Sequence, residues 1–263
     1  MTAEDPILVE ERESALWITL NRPAAMNAMT SAMLRRLEAL ADQADGRDDI
    51  RCVVLTGAGR AFCAGADLKA AREEIGGGED ALMRFVGQAT RTLNRIEAMR
   101  KPVIAAVNGM AFAGGLELIL CCDLVLAAQS ARLGDAHANY GLFPGGGSSV
   151  RLPRKIGPTR AKHMLFTGEP VSAAALMAAG LVNEVVPDSA LPAATSRLVA
   201  TLAAKSPLVL RRMKAAVNDG LDQAQATALR LEQLTWEAHG FSHDLREGLA
   251  AFAERRQPRF TGR

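Results

Sequence analysis

Val103-Ile104-Ala105-Ala106-Val107-Asn108-Gly109-Met110-Ala111-Phe112-Ala113-Gly114-Gly115-Leu116-Glu117-Leu118 changes character twice along its length. It begins behind Pro102 as an apolar run flanked by β-branched residues, the pattern of a buried strand. It turns at Asn108-Gly109 and opens a helix at Gly114-Gly115, whose free N–H groups and positive dipole end face whatever lies beyond. A companion stretch, Gly57-Ala58-Gly59-Arg60-Ala61-Phe62-Cys63-Ala64-Gly65-Ala66-Asp67-Leu68, follows a second such run, Cys52 to Thr56. Small residues in both turns let backbone approach a ligand closely. The two turns read as halves of one anion-binding pocket, because two N–H groups converging on one oxygen stabilise an oxyanion that forms only during reaction.

Outward from these turns, strands and helices alternate, which predicts an α/β core. Leu16 to Asn21 is expected as a strand ended by Pro23. Thr30 or Ser31 can cap a helix running to about residue 43, with Met33, Leu34, Leu37 and Leu40 on one face. A mobile loop is expected around Gly76-Gly77-Gly78. A helix follows from Asp80 to Met99, then Gly114 to Cys122 as a helix and Asp123 to Ala127 as a strand. From about Ser189 the pattern is helical throughout, in segments 189–204, 207–218, 223–238 and 243–255. We divide the chain into an α/β core over residues 1–200, carrying the site, and a helical C-terminal region over residues 201–263.

Composition removes several function classes. The 263 residues are 49% hydrophobic and carry a formal charge of +2, which excludes disorder as the default and gives no general argument for nucleic-acid binding. No apolar run approaches the ~18 residues of a membrane span, and residues 1–13 lack a signal-peptide core. Cys52, Cys63, Cys121 and Cys122 form no Cys-x-x-Cys pair and are expected as reduced thiols in the cytoplasm. Gly57-x-Gly59 follows a strand, but Phe62 stands where a dinucleotide fingerprint needs its third glycine. Gly109 and Gly114 have phosphate-loop spacing without the Lys-Ser/Thr that completes it. His239 and His243 are spaced as zinc ligands can be, with no third ligand nearby, so no metal is expected. Trp17 and Trp236 are expected to pack in the interior.

Two titratable residues stand out. Glu117, in the first turn of its helix, suits either satisfaction of orphan N–H groups or general acid/base work beside the oxyanion site. The glycines beside it favour the second. His137 lies in Gly134-Asp135-Ala136-His137-Ala138-Asn139-Tyr140-Gly141-Leu142-Phe143-Pro144-Gly145-Gly146-Gly147 and can be a proton shuttle or a loop histidine that only hydrogen-bonds. Asp135 and Tyr140 are its candidate orienting partners. The pocket wall is expected from residues 70–86 and 140–143.

These segments, together with Leu20-Asn21-Arg22-Pro23-x-x-x-Asn27-Ala28, Lys101 to Gly109, Gly180 to Pro187 and Ala251-Phe252-x-Glu254-Arg255-Arg256-x-Pro258-x-Phe260, resemble the crotonase (enoyl-CoA hydratase/isomerase) superfamily almost end to end. The resemblance implies a spiral of ββα units with a helical C-terminal trimerisation region, assembled as a homotrimer or as a hexamer of two trimers. It implies an acyl-coenzyme A thioester as substrate, with coenzyme A entering as part of that substrate and no tightly bound cofactor. Ala66 and Gly114 sit at the family's oxyanion-hole positions. Ala24, Ala25 and Met26, with Ala64, Ala66, Asp67, Leu68, Lys69 and Gly114, match segments lining the coenzyme A site, and Arg255 falls where a basic residue approaches the coenzyme phosphates in some members.

The departure lies at the second acid/base position. Hydratases of this family use two glutamates to hold one water; Glu117 matches the first, and His137 replaces the second. The leading expectation is hydration of a 2-enoyl-CoA by Glu117 and His137. Double-bond isomerisation, decarboxylation and carbon–carbon hydrolysis use the same enolate and remain open, as does a non-catalytic acyl-CoA-binding protein.

Overall fold

A computed structural model describes residues 5–74 and 79–263; the Gly76–Gly78 segment lies outside them. The strands follow in chain order as β1 (Ile7–Arg12), β2 (Ala15–Leu20), β3 (Cys52–Gly57), β4 (Ala61–Cys63), β5 (Val103–Val107), β6 (Met110–Phe112), β7 (Leu124–Ala128), β8 (Arg132–Gly134), β9 (Val171–Ser172) and β10 (Glu184–Val186). The helices are α1 (Ser31–Asp45), α2 (Leu68–Glu74), α3 (Glu79–Glu97), α4 (Gly114–Leu120), α5 (Ser148–Ile156), α6 (Pro158–Thr167), α7 (Ala173–Ala179), α8 (Leu191–Ala203), α9 (Pro207–Gly220), α10 (Gln225–His239) and α11 (His243–Glu254).

Two sheets result. The larger runs β1-β2-β3-β5-β7-β10, parallel from β2 onward, with Val53 opposite Val103 and Ala105 opposite Val125. Its central strand β5 is buried along its whole length, as a parallel sheet covered on both faces requires. The smaller sheet runs β4-β6-β8-β9. Each of β3, β5 and β7 passes from the large sheet directly into a short strand of the small one and then into a helix: β3-β4-α2, β5-β6-α4 and β7-β8-α5. The ββα unit therefore recurs, and each repeat delivers its strand-to-helix turn to the same side.

Local chemistry fixes the helices around that side. Thr30 caps α1 by accepting the Met33 N–H at 3.3 Å, and Met33, Leu34, Leu37 and Leu40 are buried. Helix α3 lies along α1. Arg95 bonds Asp42 at 2.6 Å and Asp45 at 2.9 Å, and Thr92 reaches the Leu34 carbonyl at 3.2 Å. At the start of β5 and β7, Lys214 of α9 bonds Asp123, whose carboxylate also accepts the Val103 N–H. This pair ties the C-terminal helices to the large sheet.

Trp17 is buried beneath Arg12, whose guanidinium carbon lies 3.9 Å from the ring centroid. Trp236 does not pack in the interior; it is 61% exposed on α10, a helix with no buried residue. The four cysteines are free and buried.

Candidate active site

The β4-α2 and β6-α4 turns meet. Gly115 has no room for a side chain, since a Cβ there would collide with the Cys63 carbonyl. A Cβ on Gly65 would lie 3.2 Å from the Gly114 nitrogen, and one on Gly114 would lie 3.6 Å from the Ala66 nitrogen. Ala66 pairs with Met29 in a parallel bridge whose bonds, Met29 N to Gly65 O and Asp67 N to Met29 O, use its neighbours. The Ala66 N–H is thereby turned away from Met29. Neither it nor the Gly114 N–H donates to a backbone or side-chain acceptor among the described residues. Ala113, just before Gly114, has φ 48° and ψ −118°, a strained conformation for a residue with a Cβ.

Glu117 is buried, one turn into α4. Its Oε1 accepts the Gly146 N–H at 2.8 Å and the Ser148 N–H at 3.2 Å. It therefore satisfies orphan donors at the start of α5, not those of its own helix. Burial drives its carboxyl pKa up; the Ser148 amide, His137 and the Gly146 amide oppose without cancelling the effect. His137 sits in a short 3-10 turn, with Nδ1 2.7 Å from Asp135 Oδ1. Burial alone would lower the imidazole pKa, but the bond to Asp135 and its charge, with that of Glu117, carry it above the ordinary value. Asp135 is buried, which raises a carboxyl, yet His137 brings it below its usual range. The Ser148 hydroxyl is near enough to contribute to that lowering, although Ser148 Oγ and Asp135 Oδ2 form no hydrogen bond of ordinary geometry. Tyr140, the other candidate partner, is 77% exposed, and its hydroxyl makes no hydrogen bond to His137.

Ala64, Ala66, Gly114, Glu117 and His137 line one cavity of about 430 Å³. Its apolar wall comes from Leu82, Phe85, Val86, Ala89 and Leu93 of α3, with Met29, Leu68, Leu142 and Phe143. Met29, Ala89 and Leu93 fall outside the expected wall segments. Leu93 continues the 82, 85, 86, 89 stripe at helical spacing, which is a legible signal; Met29 has none.

Of the remaining candidates, Ala24 and Ala25 form a 3-10 turn and Met26 follows in the left-handed region. That loop is bound to the first glycine turn by Ala64 N to Met26 O. Buried Asn27 secures it by donating to Ala58 O at 2.9 Å and Ala61 O at 2.7 Å while accepting the Arg22 N–H at 2.8 Å. Asp67 pairs with Arg22 at 2.8 Å and accepts the Ala70 N–H at the start of α2. Lys69 lies on that helix. Arg255 follows α11 at φ 55°, exposed, and is not among the residues lining the cavity. His239 and His243 make separate contacts, to Arg212 and to Thr261, and no group of three or more metal-ligating side chains occurs among the described residues. Burial pushes the Cys63 thiol up to about 12, which leaves it no nucleophilic role at neutral pH.

The family model for enoyl-CoA hydratase/isomerase matches residues 10–263, and the chain belongs to that family. YngF of Bacillus subtilis, whose name carries the same hydratase/isomerase description, is 42% identical over 253 residues, 96% of each chain. The enoyl-CoA hydratase EchA19 of Mycobacterium tuberculosis is 37% identical over 97% of this chain and 96% of its own. The crystal structure of enoyl-CoA hydratase from Bacillus anthracis superposes with a TM-score of 0.94 at 37% identity, covering 98% of this chain and all of that one. No helix among the described residues is long and apolar enough to cross a membrane.

Proposed function

We propose that the protein is an enoyl-CoA hydratase that adds water across the 2,3 double bond of a 2-enoyl-coenzyme A thioester. The observation carrying this reading is one cavity lined by two unengaged amides, a carboxyl and an imidazole. The Ala66 and Gly114 N–H groups receive the thioester carbonyl oxygen and hold the charge that builds there as the enolate forms. Glu117, as carboxylate, takes a proton from water. The water oxygen bonds to C3, and the π electrons move toward the thioester. His137, as imidazolium held by Asp135, returns a proton to C2. The raised pKa values of both groups favour this division, since the Glu117 carboxylate is then the stronger base and His137 the more readily protonated.

The coenzyme portion is proposed to lie along residues 24–26 and 66–69, with Arg255 near the phosphates. We further propose assembly as a trimer or as a hexamer of two trimers, with no tightly bound cofactor. Trp236, Phe241, Leu249 and Phe252 are exposed on the C-terminal helices and their flanking turn, large apolar side chains that contact between copies would cover. Four free, buried thiols fit a cytoplasmic setting. Incubation with crotonyl-CoA tests the activity. Rapid loss of the conjugated thioester absorbance supports hydration. No loss with that substrate, but turnover of a 3-enoyl-CoA, assigns the same residues to isomerisation.

A further inference from the structure

The Glu117 carboxylate is oriented by peptide groups, and those peptides are gripped from behind. The N–H that meets Glu117 Oε1 at 2.8 Å belongs to the peptide joining Gly145 to Gly146. The carbonyl of that same peptide, Gly145 O, lies 2.8 Å from the Thr90 hydroxyl on α3. In a trans peptide C=O and N–H point in opposite directions, so holding one end aims the other. Thr90 Oγ1 is also 2.9 Å from Val86 O, but that carbonyl already lies in the α3 ladder. Gly145 O has no other donor among the described residues, so the single hydroxyl proton is best placed there.

The next peptide is held as firmly. Gly146 O accepts from Arg151 at 2.7 Å. The same guanidinium forks onto Glu97 at 2.6 and 3.0 Å and reaches Asn94 at 2.7 Å, both on α3. Gly147 leaves the passage for it, because a Cβ there would collide with the guanidinium. The third peptide is fixed by α5, whose Arg151 N–H donates to Gly147 O at 2.8 Å while Ser148 N–H faces Glu117. Neither Thr90 nor Arg151 lines the substrate cavity.

We infer that Thr90 and Arg151 are positioning residues for Glu117: from outside the cavity they lock the planes of the Gly145 and Gly146 peptides, and with them the amide that orients the carboxylate. The inference rests on Glu117 being the acid/base group proposed above. The charged and titratable groups acting on Glu117 are His137 and Asp135 from the segment after β8, Arg151 of α5 with its partner Glu97 on α3, and the Cys121 thiol after α4. Thr90 carries no charge, so its removal changes none of them directly.

Thr90→Val, Thr90→Ser, Arg151→Lys and Glu117→Gln are compared with wild type by crystal structure and by kcat, KM and pH profile on crotonyl-CoA. Thr90→Val keeps shape and loses the donor. It is expected to lengthen the Glu117–Gly146 bond, lower kcat about tenfold, the effect of one weakened bond to a charged group, and leave KM within about twofold. Its acid limb moves up, because a carboxylate with a weaker amide donor holds its proton more tightly. Thr90→Ser restores all three; Arg151→Lys, which cannot fork, shifts them in the Val direction. An unchanged Glu117–Gly146 bond in Thr90→Val overturns the inference, with or without turnover of this thioester. So does a wild-type profile in Thr90→Val beside an inactive Glu117→Gln. An active Glu117→Gln instead overturns the role of Glu117 itself.

Discussion

His137 Nδ1 lies 2.7 Å from Asp135 Oδ1, and the same carboxylate oxygen accepts the His137 backbone N–H at 3.2 Å. Asp135 thus holds both the ring and the backbone of His137, which leaves Nε2 as the ring nitrogen not bound to it. The cavity it lines also contains Glu117, so a carboxyl and a group that is cationic when protonated share one pocket.

That pairing makes the pH dependence specific. His137 is raised above its ordinary value, so the stabilisation it gains from Asp135 is complete below about pH 6.5 and is lost as pH climbs through the folded-state value. Asp135 is lowered, so its share is present above about pH 3.9 and is lost as pH falls through the folded-state value. The same sign carries into catalysis. The alkaline limb of kcat/KM is expected above the ordinary histidine range. Asp135→Asn moves it down, because burial is then opposed by the Glu117 charge alone, and cuts the rate at pH 8 at least about tenfold. A pH–rate profile of both proteins checks this; coincident alkaline limbs remove Asp135 from the scheme.

Glu117→Gln separates stability from activity. The carboxyl pKa is raised by burial, so the folded state binds that proton more tightly than the unfolded chain. The charge therefore costs stability increasingly as pH rises through the raised value, and the cost is complete above it. Gln keeps an oxygen for the Gly146 and Ser148 amides and removes the charge. Turnover is expected to fall about 10²–10⁴-fold, while the unfolding midpoint at pH 8 rises by about 2–4 °C, equivalent to about 1 kcal/mol. Calorimetry at pH 8 and pH 4 checks the sign, since the gain shrinks at the lower pH.

Ala113 stores strain beside the proposed oxyanion hole. With φ 48° and ψ −118° it occupies a conformation that costs a non-glycine residue about 1–3 kcal/mol. Ala113→Gly relieves the strain at the expense of a looser unfolded chain. The expected net is a gain of up to about 1 kcal/mol in urea unfolding, with kcat/KM reduced several-fold as the Gly114 amide loses its fixed direction. A rise in both quantities would falsify the view that the strain aims the amide.

Asn27→Asp probes the loop below the proposed coenzyme site. The Asn27 amide nitrogen faces two carbonyl oxygens, Ala58 O and Ala61 O, in a fully buried position. A carboxylate oxygen there has no donor to meet and repels both. The expected loss is about 3 kcal/mol or more, measured by urea titration, and it is smaller at low pH, where the acid can donate one bond.

What the sequence made legible follows from the range of the interactions involved. Strand β5 falls at the expected residues, Val103–Val107, because an apolar run behind a proline is a local signal. Helix α1 extends two residues past its expected end for the same reason that helix ends are generally vague. The three-residue strands β4, β6 and β8 lie inside segments read as turns or left without an element; three residues are too few to display alternation. Helices α5 to α7 are short, and the first carries Pro153 in its interior, a residue that reads as a helix breaker. Trp236 is expected inside because aromatic residues usually are, yet it stays 61% exposed, with His239 as its ring neighbour. The Asp135–His137 contact could be anticipated from two-residue spacing. The partners of Glu117 could not, since they are backbone amides 29 and 31 residues away, and an amide leaves no mark on residue identity.

The central claim is that the Ala66 and Gly114 amides jointly hold a thioester oxygen opposite Glu117 and His137. A crystal structure of the Glu117→Gln variant with a bound 2-enoyl-coenzyme A thioester addresses it directly. The account predicts the carbonyl oxygen about 3 Å from both nitrogens, with C2 and C3 lying between residues 117 and 137. A thioester oxygen bonded to neither amide, or an acyl chain directed away from His137, would contradict it.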